Sequence, residues 1–491
     1  GMLMRTMSSP PVYYEIALPS KICSLLKRFV MHTTVSESCW EILGICTQTD
    51  EDATQLIRLG RTQDLLENAR ANATSKIVVQ RSLPIFCLIA CNPTLSDSLV
   101  NVDILKMLLM IIRGSPDDVE SQCQCMTIMA RMVKESPEEA AKKIDENAED
   151  ELDDDDVAEE KKRRRELKKE EEKKNRHKSK KIEEDKEVAK RRAVLTELSV
   201  LDNVNLLASC VKRFPENAAL LSDTSDVLVS VCVNSEEARR LVAVSGVVAP
   251  YFEALQTKDL SLLSHALSLM AELVKVASVK AVLHPGERII RMIEDHMKRL
   301  HDNTTKMPKD ELARKMVCIL VEMSASRELL NDFAETPGLP VIVDVQNRYI
   351  SDPYIQLCIA GYLNNLMPMK DIPEQFMKAK GLPATVSSLS TYLRKRTLMK
   401  MFCEVLYTLV KTYPEVSPRV SREVTPVLEN CLKKNQKKME HLEPPIRLLT
   451  YLVMKPENVC RANEVLKCCT DVMYNNRENK EVLPPFLTIT N

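Results

Sequence analysis

At 491 residues the chain is long enough for about three domains of roughly 150 residues each, or for one helical array that extends without dividing into separate cores. Its composition, 44% hydrophobic but only 4% aromatic with just 9 glycines, speaks against a sheet protein, which needs more turns and more β-branched and aromatic runs. The 69 basic and 70 acidic side chains nearly cancel, so net charge gives no ground for nucleic-acid binding over the whole surface.

Residues 1–22 begin GMLMRTMSSPPVYYEIALPSK, with no sustained apolar core and no small-residue cleavage pattern, and are expected to form an N-terminal segment outside the main fold. The longest apolar run, Ile104–Ile112, is far short of the ~20 residues that a membrane span needs, so no membrane association is expected. The chain has 16 cysteines, and most, such as Cys87, Cys91, Cys232, Cys318, Cys358 and Cys403, sit inside apolar helical patterns where cysteine serves as a small core residue. That usage fits a reducing, cytoplasmic compartment.

Helical units follow one another from there. CWEILGIC at Cys39–Cys46 reads as the closing helix of a first, incomplete unit. Gly60 then precedes RTQDLLENA, and DILKMLLMII begins at Asp103; each is followed by a longer apolar helix, SLPIFCLIAC and QCMTIMARMV. Ser136–Ile144 resembles the first helix of another unit before the pattern is interrupted.

The interruption is a charged insert, 145–192. Asp145–Glu160 carries eleven acidic side chains and no basic one; Lys161–Arg192 carries seventeen basic and eight acidic. With almost no apolar residue to bury, this segment is expected to be disordered, or a solvated helix where Glu166, Glu170 and Lys174 fall four apart. Helical patterns resume at VLTELSVLDNVNLLASCV and NAALLSDTSDVLVSVCV.

The clearest unit is Asn234–Val274. It reads as a helix ending at Gly246, a second carrying Val247, Val248, Tyr251, Phe252 and Leu255, a break at Thr257–Asp259, and a third carrying Leu262, Leu263, Ala266, Leu267, Met270 and Leu273. Similar helix entries follow at Gly286, Gly338 and Gly381, the last two 43 residues apart; LHDNTTKMPKD lengthens the step before Gly338. The register continues through VTPVLENCL near Thr425 and NEVLKCCTDV near Val465, and 476–491 is left as a C-terminal tail. The array thus divides into 23–144 and 193–475 on either side of the insert.

Gly246–Val274 and the parallel GLP…DPYIQLCIAGYLNNLM at Gly338–Met367 resemble armadillo repeats: helix, glycine at the bend, second helix, short acidic turn, long third helix. HEAT repeats are the nearest competitor. The resemblance implies an all-α fold, a right-handed α-solenoid superhelix of about eight to ten armadillo-like repeats with one charged insertion, whose third helices line a concave groove for a protein partner.

In peptide-binding armadillo proteins an asparagine recurs late in successive third helices, with a tryptophan one turn earlier. By resemblance, Asn365 holds the asparagine position of its unit; elsewhere that position falls on Gly44, Arg131, Cys232, Glu272, Glu322, Thr408 and Tyr451. The only tryptophan, Trp40, matches the tryptophan position of the first unit, but Gly361 stands there in the asparagine unit. The ladder of a nuclear-import receptor is therefore missing. The residues expected in the groove are Trp40, Arg131, Glu272, Glu322, Asn365, Glu404, Thr408, Arg447 and Tyr451.

No phosphate loop GxxxxGK[ST], GxGxxG or HExxH occurs, and the seven histidines are scattered without metal-ligand spacing. There is no CxxC pair, and neither Cys123/Cys125 nor Cys468/Cys469 has zinc-site spacing. No enzyme activity, cofactor or metal is expected; His265 reads as a packed or groove-edge residue. The function these residues point to is a non-catalytic scaffold or adaptor for a protein partner, with cytoskeletal, ciliary and chaperone-type assemblies all represented among armadillo proteins. The alternative is a nuclear factor that uses KKRRR, Lys161, Lys162, Arg163, Arg164 and Arg165, as a nuclear-localisation signal or a contact for nucleic acid or an acidic partner. The insert lacks the aromatic residues that stack bases, so nucleic acid is the less expected partner.

Overall fold

Apolar side chains at three- and four-residue steps build helices with one buried stripe, and such helices must stack to keep that stripe dry. The computed structural model describes residues 18–92, 95–134, 177–283, 287–302, 309–326, 329–335, 338–434 and 439–454, together with Lys467 and Thr470. Among the described residues there are 24 α-helices and no strand. They divide into two compact units, 18–134 with 177–276, and 277 onwards.

The first unit contains α1 (Leu18–Arg28) and α2 (Thr33–Cys46); α3 (Asp50–Arg58), α4 (Thr62–Ala71) and α5 (Lys76–Cys91); and, after a 3-10 turn at Ser96–Leu99, α6 (Val102–Gly114) and α7 (Val119–Val133). It continues with α8 (His177–Leu198), α9 (Leu201–Arg213) and α10 (Ala218–Asn234), then α11 (Glu236–Val244), α12 (Val248–Ala254) and α13 (Leu260–Leu273). The closing helices α2, α5, α7, α10 and α13 pack side by side in that order, and α1, α4, α6, α9 and α11 pack in order as a second layer.

The second unit repeats the plan. It holds α14 (Ala277–Val282), α15 (Glu287–Asp302) and α16 (Lys309–Ser324); α17 (Leu330–Glu335), α18 (Leu339–Arg348) and α19 (Pro353–Leu366); α20 (Ile372–Lys378), α21 (Gly381–Thr391) and α22 (Arg396–Thr412); and α23 (Ser417–Lys434) with α24 (Met439–Val453). Here α16, α19, α22 and α24 form the closing layer, backed by α15, α18, α21 and α23. This is an all-α, solenoid-like helical-repeat fold.

Local chemistry explains the joints. Asp259 starts α13 by accepting from the N–H groups of Ser261 and Leu262, and Asp352 starts α19 by accepting from Tyr354 and Ile355. These are the acidic turns of the two clearest sequence units. Gly60, Gly246 and Gly338 have φ of 66°, 86° and 57°, the left-handed region where a side chain is strained. At Gly381 the reason differs. The left-handed residue is Lys380, with φ 61°, while a Cβ on Gly381 would run into the Phe376 ring. Gly286 lies outside the described residues.

Two boundaries differ from the sequence reading. The array begins at Leu18, not residue 23, because Pro19, Ile22, Cys23 and Leu26 of α1 are buried. The insert does not end as a separate segment: α8 starts at His177 and runs through Arg192 to Leu198 without a break. From Lys186 on it is mostly solvated, but Arg191 is buried, its guanidinium 2.5 Å from Asp97 in the 3-10 turn, and Val194 and Leu198 are fully buried. The late register is visible in α23 and α24, whereas Ser136–Ile144, Asp145–Arg176 and the stretch around Val465 lie outside the described residues.

Asn68 on α4 ties α1 and α2 to its own helix. Its Nδ2 donates to the Leu26 carbonyl and to Ser36 Oγ, each at 2.9 Å, and its Oδ1 accepts from Trp40 Nε1 at 3.0 Å. Replacing Asn68 with Ala takes these bonds from the Leu26 carbonyl and the buried Trp40 N–H, leaving Ser36 only its longer bond from Asn72, and is expected to cost ~2 kcal/mol or more. Urea unfolding followed by the fluorescence of the single tryptophan measures this; an unchanged midpoint would sink the claim. Gly381→Ala, which must displace the Phe376 ring, is expected to cost about 1–3 kcal/mol by the same assay read with circular dichroism.

Candidate interaction faces

Within each layer of closing helices the buried stripe faces the second layer, and the remaining positions form an outward face. Register along this face follows from burial. In α13 the outward positions are His265, Ser268 and Glu272, between the buried Ala266, Leu267, Leu269, Met270 and Leu273. The same pattern gives Gln124, Thr127 and Arg131 on α7, and Asp223, Asp226 and Ser230 on α10.

One expected groove residue in the first unit, Trp40, falls inside the core, and so does Cys232, which stands at the asparagine position of its unit. Trp40 is fully buried, edge-on to Phe86 with ring centroids 5.8 Å apart, and its N–H is committed to Asn68. It occupies the buried step that Leu267 holds in α13, so it cannot pack on a partner. One residue is about 100° of helix, so a slip of one position turns an outward residue inward. Cys232 is buried for the same kind of reason, and Ser230 takes its place on the face.

Glu272 is outward but engaged. It pairs with Arg239 of α11 at 3.0 Å and with Lys275 at 2.7 Å, and its side chain is only 16% exposed. It fastens the first helix of its repeat to the last. Glu322 repeats the device more loosely, with Lys280 of α14 at 4.0 Å. Arg131 is exposed at the C-terminal end of α7.

Sequence reasoning passed over the polar ladder at the middle of this face. Thr127 Oγ1 donates to Asp223 at 2.5 Å, Asp226 accepts from His265 Nδ1 at 2.7 Å, and Ser225 Oγ donates to the His265 carbonyl at 2.6 Å. These bonds join α7, α10 and α13. The signal was present: Asp223 and Asp226 are the only acidic residues in an otherwise apolar and small α10. Burial pushes the Asp223 carboxyl above its ordinary value, opposed by the Thr127 hydroxyl, and Asp226 pushes it the same way as burial.

In the second unit the outward positions include Glu322, Asn365, Glu404, Thr408, Arg447 and Tyr451, all half-buried except the exposed Arg447. Asn365 is committed inward, its Nδ2 donating to Ser324 Oγ on α16 at 3.0 Å. Its neighbour Asn364 donates to the Met401 carbonyl on α22 at 3.0 Å. Gly361 lies between Val321 and Met401, at van der Waals distance from a Cβ placed there. At the other end Arg447 stacks on Tyr407, 4.9 Å from the ring centre, and Tyr407 meets Tyr451 edge to face at 5.0 Å. Tyr407 is the member that sequence reasoning missed. Lys161–Arg165 lie outside the described residues.

Among the described residues no cluster of three or more histidine, cysteine or acidic side chains could hold a metal, and no single helix is long and apolar enough to cross a membrane. No family model matches the chain, and no curated protein is similar to it. Among solved structures, an engineered protein from the Northeast Structural Genomics Consortium is similar with a TM-score of 0.57 at 12% identity, over 90% of this chain and 90% of that one. Identity that low speaks to the fold alone. Two more engineered proteins cover 63% and 62% of this chain and 97% and 98% of their own, with TM-scores of 0.41 and 0.40, too low to carry an argument.

Asp223 gives the face a pH signature. Because its pKa is raised in the fold, its contribution to stability is present below the ordinary aspartate range and is lost as pH rises through the raised value. Asp223→Asn, which keeps an oxygen for Thr127, is therefore expected to raise the melting temperature at about pH 7 and to make no difference near about pH 3. A variant that melts lower than wild type at neutral pH would contradict the assignment.

Proposed function

We propose that this chain is a non-catalytic protein-interaction scaffold or adaptor, built as a right-handed armadillo-type superhelix, which docks a protein partner on the outward faces of its closing helices. Groups of three helices with a left-handed bend at Gly60, Gly246 and Gly338 support the armadillo reading over HEAT. The observation that carries the function is that both faces are polar, half-exposed and cross-linked from helix to helix before any partner arrives. Thr127–Asp223 and Asp226–His265 fix one face; Ser324–Asn365 and Arg447–Tyr407–Tyr451 fix the other. Such preorganised side chains lose little freedom on binding, and tyrosine and arginine are the residues that most often dominate interface energetics. The internal use of Asn365 and the burial of Trp40 weigh against a receptor that reads extended basic peptides through an asparagine and tryptophan ladder.

A cytoplasmic adaptor in a cytoskeletal, ciliary or chaperone-type assembly is the setting that this reading favours. Glu272 is a poor probe because its reversal disrupts the Arg239 pairing. The informative variant is Arg131→Glu, Glu404→Lys, Arg447→Glu, all outward and without a buried ion pair. Affinity capture with mass spectrometry is expected to show the wild-type partners reduced at least about tenfold in this variant, at an unchanged melting temperature. An identical partner set would overturn the face assignment. Deleting 145–176 in parallel separates the rival nuclear reading: loss of every partner with that deletion alone would favour the insert over the faces.

A further inference from the structure

In the second unit a small cavity lies where the two helix layers meet. It is bordered by Glu294 of α15, Leu320 of α16, Gly338 and Ile342 at the entry of α18, and Tyr362 of α19. Among the described residues that line it, only Glu294 and Tyr362 bring a polar side chain. Glu294 reaches in so far that its Oε1 stands 2.5 Å from where a Cβ would lie on Gly338. Gly338 is the left-handed bend, φ 57°, from which α18 starts. A carboxyl group, a helix entry and an apolar cavity thus share one place.

That place is unfavourable for a negative charge. Glu294 is half-buried, and among the described residues none donates a hydrogen bond to its carboxyl. Burial holds the carboxyl above the ordinary glutamate value; Lys298 and Arg291 act against burial, and Asp295 acts with it. These three neighbours lie on α15 itself, within about one turn of Glu294. The other helices packed on α15 add no charge to the cavity: the lining of α16 and α18 has no titratable side chain, and Asp332 and Glu335 of α17 do not line it. The buried His296 of α15 does not line it either. Tyr362 of α19 is fully buried, and the charge on Glu294 adds to burial in pushing its phenol upward.

We propose that Glu294 is a proton-operated latch between the two layers of the second unit: uncharged, it keeps α15 seated on the entry of α18 and beside Tyr362, and charged, it drives local opening of that contact. A carboxylate regains its water only when α15 lifts away, whereas the neutral acid loses little by staying. The sign follows from the direction of the shift. Because the value is raised in the fold, the contribution of the latch is complete below the ordinary glutamate range and is lost as pH rises through the raised value. The cavity is bordered by α16 and α19, two of the closing helices, so the charge on Glu294 governs how firmly their layer is backed.

Hydrogen–deuterium exchange of the whole protein tests this. In wild type the opening constant of peptides 288–297 and 338–343, corrected for the intrinsic pH dependence of exchange, is expected to rise at least about threefold between about pH 4 and about pH 8. Glu294→Gln, uncharged and of the same shape, is expected to abolish the rise. Two surface variants are expected to move its midpoint in opposite directions, Lys298→Gln to higher pH and Asp295→Asn to lower pH. Both side chains are more than half exposed, so neither change disturbs packing, and a Glu294 that served only to fill space would not respond to them. An opening constant in wild type that ignores pH, or a rise that persists in Glu294→Gln, overturns the latch. Midpoints left unmoved by both surface variants overturn it as well.

Discussion

Every repeat in this fold must bring the end of one helix to a turn beside the next, where its last carbonyls have no helical partner. The protein meets this with side chains from the following helix. Gln122 donates to the carbonyls of Ile112 and Ser115 at 3.0 and 2.9 Å, and Gln356 donates to those of Gln346 and Tyr349 at 2.7 and 3.1 Å. The spacing back along the chain, ten and seven residues, is the same in both, although one pair lies in each unit. Asn203 does the same for Glu197; Asn72, just past α4, serves Val30, and Lys212 on the earlier α9 serves Ser245 beside the Gly246 bend. The buried amides of Gln122, Gln356, Asn203 and Asn72 are costly when unpaired, so each also favours one placement of the helices it joins.

That constraint assigns each face of the closing helices a task. The inward stripe fills the core, with Trp40, Tyr251, Tyr362 and Phe402 fully buried. The polar outward positions first stitch neighbouring helices together, as Asp226 does with His265 and Asn365 with Ser324, and only the rest of the face stays exposed. The two uses compete. Glu272 is almost wholly taken up by Arg239 and Lys275, whereas Arg131 and Arg447 remain exposed. A groove whose ladder residues are spent on its own structure is a surface for shape and mixed chemistry more than for a repeated peptide backbone.

The charged insert shows how a polar segment can interrupt such an array without ending it. Arg191 and Asp97 pair where α8 meets the 3-10 turn, and Val194 and Leu198 are buried just beyond. The first helix of the resumed array is thus contributed partly by the insert itself, and α8 packs against α6, α7, α9 and α10. A charge-rich segment can be tolerated there because its final turns supply the apolar residues that the neighbouring repeat requires.

The helix entry, bend and cap of the clearest unit were legible in the residues, because each is a local requirement: a left-handed bend at Gly246, an acidic cap at Asp259, an apolar stripe from Leu262 to Leu273. Most outward positions in the second unit were legible too, since the stripe there is long enough to fix its phase. What only the tertiary structure decided was the phase of the short first repeat and the partners of polar residues. Nothing local to CWEILGIC says that Trp40 turns toward Asn68 on a helix 28 residues later, or that Asp223 faces Thr127 across 96 residues. Helix periodicity is a property of near neighbours along the chain, whereas burial and hydrogen-bond partnership depend on which helix lies alongside.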